Sequence, residues 1–411
     1  MRILHVIHSI DPRSGGPSHA IRAMVREQAV AGHDVTLLTT TTQSGEPWEE
    51  RGDYVRRMSS ELGFEDIELS IQPAFGRRRP WSRFAYSPAG RRFLRRRLAH
   101  DSDSRPDVVH IHGLFSDLTS AAARAARQNA VPYILRPAGC LDSVCVERGA
   151  RILKRMFISL IANTDLQSAC YLQATSKPEA EQLARFTQED NVATVPHGVR
   201  TRYGSTNPVS LWSAFPALKN RRVILFMARL HPIKRLDLVL NAFATARTTT
   251  PDLCLAVAGN DAGAEAEARD FVRSRNIGDD VVFTGFLAGE LKSSLLSAAE
   301  LYVLPSDHEN FGVAVIEAMA HGTPVLVTPG VASREFVEAS GCGLTVDGTV
   351  EALAGGIGKL LRGDRNVLGN RGRRYVEEHL AWPAVVAQLD ELYTAAIEKH
   401  RKTCPQPLPA S

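Results

Sequence analysis

Short apolar runs alternate with amphipathic stretches along nearly the whole chain, and no other feature constrains the fold as much. ILHVIHS, DVTLLTT, DVVHIHG, VPYILRP, ACYLQAT and NVATVP read as strands in the first half. RRVILFMA, LCLAVAG, VVFTGF, LYVLPS and TPVLVTP follow in the second. Between them lie segments such as SHAIRAMVREQAVAG and PEAEQLARF, with apolar residues at helical spacing. Gly and Pro punctuate the edges of the runs. The pattern predicts an α/β chain in which parallel sheets are covered by helices on both faces.

At 411 residues the chain exceeds one typical core, so two domains are expected. The alternation breaks in PHGVRTRYGSTNPVSLWSAFPALKN, rich in turn formers and without a clear period, before RRVILFMA opens a fresh set of strands. We place a linker there. Two doubly wound, Rossmann-like domains are predicted, residues 1–200 and 201–380, then a helix over 381–400 and a flexible tail over 401–411. Ligands of such sheets bind beyond the carboxyl ends of the strands, and facing domains create a cleft, so strand-to-helix turns are where chemistry is sought.

Composition narrows the setting. The apolar fraction of 44% is that of a globular protein, and no run of about 18 apolar residues could span a bilayer. MRILHVIHSIDP lacks the long apolar region of a secretion signal and reads as a first strand. Six cysteines are scattered without CxxC pairs or zinc-ligand spacing, as in a reduced, cytoplasmic protein.

The formal net charge of +4 hides a local bias: Arg77 to Arg97, RRRPWSRFAYSPAGRRFLRRR, carries nine arginines, four aromatics and no acid. Without those nine the chain is acidic. The stretch fits a solvated arginine-rich helix and loop, or a peripheral contact with an anionic membrane surface. Nucleic acid is disfavoured, because no base-reading motif accompanies the charge.

Several strand ends carry groups with chemistry. In SIDPRSGGPSHA, Gly15 and Gly16 let the backbone approach a ligand and the following helix points its amides at it, which suits a phosphate. The turn is not GxGxxG, so a dinucleotide-dependent dehydrogenase is poorly supported. His112 ends DVVHIH, where it can make a polar contact with a substrate, whereas His110 lies deeper and reads as a core histidine. In MARLHPIKRLDLVL, Arg229 and Lys234 place two cations at a helix entry, which is unfavourable unless an anion such as a diphosphate accompanies them. In SDHENFGVAVIEAMAHGTPV, Glu309 stands at a helix entry beside the amides of Asn310, Phe311 and Gly312, and Glu317 sits eight residues on in an apolar run. A carboxylate there is expected to be buried and to need a partner. The DSD at Asp101 to Asp103 sits in a polar turn and reads as solvated loop rather than as a metal motif.

Taken in order, the GG turn, HIHG, RL…K, VVFTGF, the Glu309…Glu317 pair with seven residues between, and a final amphipathic helix resemble the retaining glycosyltransferases of family 4 (glycosyl transferases group 1), which have the GT-B fold. The resemblance spans nearly the whole chain. It implies that Glu317 binds the ribose of a nucleotide-sugar donor, UDP- or GDP-linked, and that Glu309 holds the transferred sugar with the amides of Asn310, Phe311 and Gly312. Arg229 and Lys234 would stabilise the leaving diphosphate, Gly16 would approach it from the other domain, backbone near Gly285 and Phe286 would meet the base, and His112 would touch the sugar. On this reading the partner of Glu317 is a ribose, not a protein cation. No cofactor and no metal are implied, because cations and a helix N-terminus stabilise the departing oxygen. Front-face attack by the acceptor hydroxyl is favoured, since no nucleophile for double displacement is apparent.

The acceptor implied is a glycan or a lipid-linked sugar, in surface polysaccharide assembly, with the protein cytoplasmic or peripheral on the inner face of the membrane. Three positions depart from the family pattern. Ala138 and Cys140 in LRPAGCLDS weaken an acceptor role there, and Arg235 stands where a glycine often follows the lysine. A nucleotide-sugar 2-epimerase on the same fold and a non-catalytic nucleotide-sugar binding protein remain alternatives.

Overall fold

The computed structural model describes residues 1–11, 16–41, 67–74, 86–147, 150–201 and 208–403. Gly15, the arginines at 77, 78, 79 and 83, Cys404 and most of the expected tail lie outside the described residues. The chain divides into two compact units, one from Met1 to Gly198 with the segment from Trp382 onward, the other Val199–Ala381.

The first unit is built on a seven-stranded parallel sheet. Its strands are β1 (Arg2–Ile7), β2 (Asp34–Thr40), β3 (Ile67–Gln72), β4 (Val108–His112), β5 (Tyr133–Arg136), β6 (Tyr171–Ala174) and β7 (Val192–Thr194), in the order β3-β2-β1-β4-β5-β6-β7. The chain winds outward through β2 and β3, then returns to the other side of β1, so the strand order reverses between β1 and β4. β4 and β5 are buried throughout, as strands covered on both faces must be. The last helix, Trp382–Thr403, buries Trp382, Val385, Val386, Leu389, Leu392, Tyr393 and Ala396 at helical spacing, and packs against the helix Gly16–Val30 of this unit.

The second unit holds a six-stranded parallel sheet of β8 (Arg222–Met227), β9 (Leu253–Ala258), β10 (Val281–Gly285), β11 (Leu301–Leu304), β12 (Val325–Val327) and β13 (Gly343–Thr345). The order β10-β9-β8-β11-β12-β13 reverses between β8 and β11. Val223, Ile224, Leu225 and Phe226 of β8 are fully buried at the centre of its core. The stretch read as a linker carries a helix, Pro208–Ala214, and a 3₁₀ turn, Pro216–Leu218, which bury Leu211 and Leu218 in this second core.

Eleven strands fall on the runs read from the sequence. The sheet-edge strands β3 and β13 do not. β13 is three residues, GLT, and β3 alternates buried and exposed positions, so neither forms an apolar run. Five cysteines, Cys140, Cys145, Cys170, Cys254 and Cys342, are free thiols. Among the described residues, no helix is long and apolar enough to cross a membrane.

Candidate functional site

The richest constellation lies at the switch point of the second sheet, where the turns after β8 and β11 come together. After β8 the chain exposes Arg229, whose side chain makes no hydrogen bond or ion pair among the described residues. It then enters a 3₁₀ turn, Pro232–Lys234, capped by His231, whose Nδ1 accepts from the Ile233 amide at 3.1 Å. Lys234 is buried and donates to the carboxylate of Glu309. Arg235 follows with φ +55°, in the left-handed region that costs a side-chain-bearing residue roughly 1–2 kcal/mol. That conformation accounts for a glycine at this position elsewhere in the family pattern. Here Arg235 is instead held by Asp237 and by Asp307, whose Oδ1 accepts from Nη1 at 3.0 Å. Arg235 therefore ties the turn after β8 to the turn after β11.

The second turn is clamped from below. The Asp307 amide donates to Ile233 O at 2.9 Å, and the Ser306 hydroxyl donates to the carbonyls of Ile233 and His308. The Glu309 amide donates to Gly330 O at 2.9 Å, and its carbonyl accepts from Ala332 at 3.0 Å. Gly330 has no room for a side chain, since a Cβ would stand 2.3 Å from Asp307 O. The helix proper begins at Val313, later than the sequence suggested, so Glu309 lies on the approach to it and the Glu309–Glu317 span is helical only in its second half. Gly312 caps the helix at φ +84°, and a Cβ there would meet Ser333 Oγ at 2.9 Å. The amides of Asn310 and Gly312 donate no hydrogen bond among the described residues. Phe311 is buried, its ring tilted against Phe336 at 5.8 Å.

Glu317 corrects an expectation. It is not an orphan awaiting a ribose: Lys292 Nζ donates to its Oε1 at 2.7 Å, and its side chain is 19% exposed rather than buried. The partner comes from the helix Gly289–Ala298, remote from the motif in sequence. Among the described residues only Oε1 is engaged, which leaves Oε2 for a ligand. The charges of both acids nevertheless act on one buried group. Tyr302 of β11 is fully buried and donates to Met227 O at 2.9 Å, and burial raises its pKa well above the usual phenol range, with the charges of Glu309 and Glu317 adding to the rise. Gly285 ends β10 at φ +69° with its carbonyl accepting from Gly259, and Phe286 beside it is 66% exposed. That is an open platform for a planar group.

The first unit holds His112 and Gly16. Gly16 opens its helix exposed, with nothing within 4 Å of the place a Cβ would take. His112 ends β4 as read, but its ring is buried rather than presented at a surface, and Nε2 shares a 3.0 Å hydrogen bond with His5 Nδ1. His5 Nε2 bonds Gln28 Oε1 at 2.7 Å, and Gln28 donates to Tyr393 OH, which also pairs with His110 Nδ1 at 2.8 Å. The register explains the cluster: His5 stands opposite His110, and Ile7 opposite His112, on adjacent strands. Burial holds His5 neutral down to about pH 4 and lowers His110 and His112 well below the usual imidazole range. One ring nitrogen from each of the three lies within 4.8 Å of the others, close enough to share a metal ion. The positive charge of Arg136 acts on all three rings, and among the described residues no carboxylate joins the group.

Comparison with known proteins agrees with this architecture. A family model described as "Glycosyl transferase 4-like domain" matches residues 15–198, and one described as "Glycosyl transferases group 1" matches 212–375. The chain belongs to the group 1 glycosyltransferases. Among curated members, the D-inositol 3-phosphate glycosyltransferase of Salinispora tropica is 30% identical over 190 residues, which cover 44% of this chain and 39% of that one. The D-inositol 3-phosphate glycosyltransferase of Acidothermus cellulolyticus aligns over 96% of this chain and 89% of its own at 25% identity. The fold is that of GT-B structures: Anabaena HepE, crystallised with UDP and glucose, superposes with a TM-score of 0.72 over 96% of this chain and all of its own, at 16% identity.

Several residues that shape the site in this group 1 member escaped the sequence reading. Gly330 could have been found, since Pro329-Gly330 marks a turn directly after a strand. Lys292 and Asp307 carry no local signal, because their roles exist only once distant helices and turns are packed. Ser333, buried with an unbonded Oγ beside Gly312, is equally silent in sequence.

Proposed function

We propose that the chain is a retaining hexosyltransferase that moves a sugar from a UDP- or GDP-linked donor to a glycan or lipid-linked sugar acceptor, in surface polysaccharide assembly. The observation that carries this reading is the meeting of Lys234, Glu309 and the open amides of Asn310 and Gly312 at the switch point of the second sheet. In the proposed reaction the donor lies along this constellation. Glu317 Oε2 accepts from a ribose hydroxyl, and the Gly285–Phe286 corner meets the base. Glu309 accepts from sugar hydroxyls, and the amides entering the helix Val313–Ala320 face the phosphates. Lys234 has one proton on Glu309 and two left for a phosphate oxygen. Because Lys234–Glu309 and Lys292–Glu317 are each neutral as pairs, Arg229 supplies the uncompensated charge for the leaving diphosphate. No metal is assigned a role, since these cations and amides stabilise the departing oxygen themselves.

The names of the relatives support sugar transfer, and UDP in the HepE structure makes UDP-sugars the first donors to test. The test is incubation with UDP- and GDP-sugars, with and without membrane-lipid extract. Nucleotide release that requires the extract supports transfer. Release or isomerisation without it would place the chain among hydrolases or epimerases, and binding without turnover among nucleotide-sugar binding proteins.

The proposal extends to a peripheral contact with anionic lipid on the inner membrane face. Arg92, Arg95 and Arg96 are exposed and make no hydrogen bond or ion pair among the described residues, whereas Arg91 is committed to Asp117 and Arg97 to Glu68 and Thr36. A second element carries the apolar half of such a contact. In the helical segment Arg151–Ala162, Ile152 is 73% exposed, Leu153 61%, Met156 51% and Leu160 73%, beside Arg151, Lys154 and Arg155. Exposed apolar residues interleaved with basic ones are the composition of an interfacial helix.

A further inference from the structure

Arg136 closes β5 with only 3% of its surface exposed, and no hydrogen bond or ion pair of its guanidinium is found among the described residues. Arginine is almost never so buried without a hydrogen-bonded partner, because its N–H groups are costly to leave unbonded in the interior. Among the described residues, none of the polar groups around it accepts a hydrogen bond from its guanidinium. Glu179, the carboxylate whose charge acts on it, accepts from the Gly139 amide at 2.8 Å through one oxygen, and from the amide and hydroxyl of Thr175 through the other. Gln173, on neighbouring β6, donates to Val195 O at 3.0 Å, and its buried Oε1 is neutral and accepts no hydrogen bond among the described residues. His112, directly opposite Arg136 in the sheet register, is bonded to His5. Arg136 thus feels the charge of Glu179 without a hydrogen bond to it, and its own charge lowers the pKa of His5, His110, His112 and His197. Ordered water can accept from its N–H groups but brings no negative charge.

We infer that Arg136 is the anchor of an anion site in the first unit, and that the anion is the phosphate of a bound ligand. The planar five-donor fork suits a phosphate bidentately, and its place at the carboxyl end of β5 is where ligands of such sheets bind. Assigning that ligand to the acceptor rests on the proposed transferase reading, in which the first unit receives the acceptor. The anion site itself does not.

The experiment is thermal unfolding of the full chain in inorganic phosphate against chloride at matched ionic strength. It compares the wild type with Arg136→Met, Arg136→Lys and Lys234→Ala. Phosphate is expected to raise the wild-type midpoint by about 3 °C or more. Lys234→Ala, which alters only the proposed donor site, should keep that rise, Arg136→Lys should keep less than half, and Arg136→Met should lose it. Without phosphate, Arg136→Met should unfold no earlier than the wild type, since Glu179 keeps its own three hydrogen bonds and no hydrogen-bonded partner of Arg136 is stranded. A wild type indifferent to phosphate, a response that vanishes in Lys234→Ala but survives in Arg136→Met, or an Arg136→Met that fails to fold or melts early without phosphate would each overturn the inference. The last would show that Arg136 is a structural partner.

Discussion

Lys234 and Glu309, 75 residues apart, form an ion pair that joins the turn after β8 to the turn after β11 at the switch point of the second sheet. The pair is asymmetric: the lysine side chain is 9% exposed and the glutamate 26%. Glu309→Ala strands a buried ammonium, whereas Lys234→Ala leaves a carboxylate that water can reach. Glu309→Ala is therefore expected to cost about 3 kcal/mol and Lys234→Ala roughly half of that. Urea unfolding of both variants measures the order, and an equal or reversed loss would contradict it.

Arg235 combines backbone strain with two ion pairs, to Asp237 and Asp307. Arg235→Gly relieves the left-handed conformation while losing partly exposed pairs, which are worth little each. It should change stability by less than about 1 kcal/mol. Arg235→Ala loses the pairs and keeps the strain, so it should be less stable than the glycine variant by about 1 kcal/mol. If alanine proves the more stable of the two, strain at this position is not the deciding term.

The histidine network makes stability depend on pH with a definite sign. Burial holds His5 at about 4 when folded, against 6.5 when free. The unfolded chain therefore binds the extra proton first, and stability, complete above pH 6.5, falls as the pH drops toward 4. His5 alone accounts for on the order of 3 kcal/mol of that loss. His110 and His112, shifted the same way, steepen it. Chemical denaturation between pH 7.5 and 4.5 reads this directly. His5→Leu should flatten the dependence, and an unchanged slope in that variant would exclude the network as its source.

Membrane contact divides between two elements. Ile152→Ser, Leu153→Ser and Leu160→Ser together should abolish co-sedimentation with vesicles containing phosphatidylglycerol without altering net charge. Arg92→Ala, Arg95→Ala and Arg96→Ala should weaken it by about 1 kcal/mol per charge and only at low salt. Binding retained in both triple variants would remove these two elements from the proposal, and a wild type that does not co-sediment would remove the membrane.

What could be read from sequence follows from what is local. The strand runs announce themselves because both faces of each sheet are buried, and the turns that carry Arg229, Lys234, Glu309 and Gly312 lie next to those runs. Two of the four edge strands, β3 and β13, form no apolar run and stayed silent. Pairing was the harder problem. Glu317 could be recognised as a carboxylate in need of a partner, but Lys292 reaches it only through the packing of two helices. His112 was placed at its strand end correctly, yet its burial and its bond to His5 depend on strand register, which no single run encodes. Arg136 looked unremarkable in YILRP until its guanidinium was seen to lack a partner.

The second unit's role as the donor site is tested most directly by calorimetric titration of UDP and GDP into the wild type, Glu317→Ala and Glu309→Gln. At least one nucleotide should bind the wild type. Glu317→Ala should weaken it about tenfold or more, or about 1.4 kcal/mol, because the ribose loses its carboxylate. Glu309→Gln, which touches only the transferred sugar and keeps an acceptor for Lys234, should bind nucleotide as the wild type does. Nucleotide affinity unchanged in Glu317→Ala would contradict the assignment, leaving Glu317 as no more than the partner of Lys292.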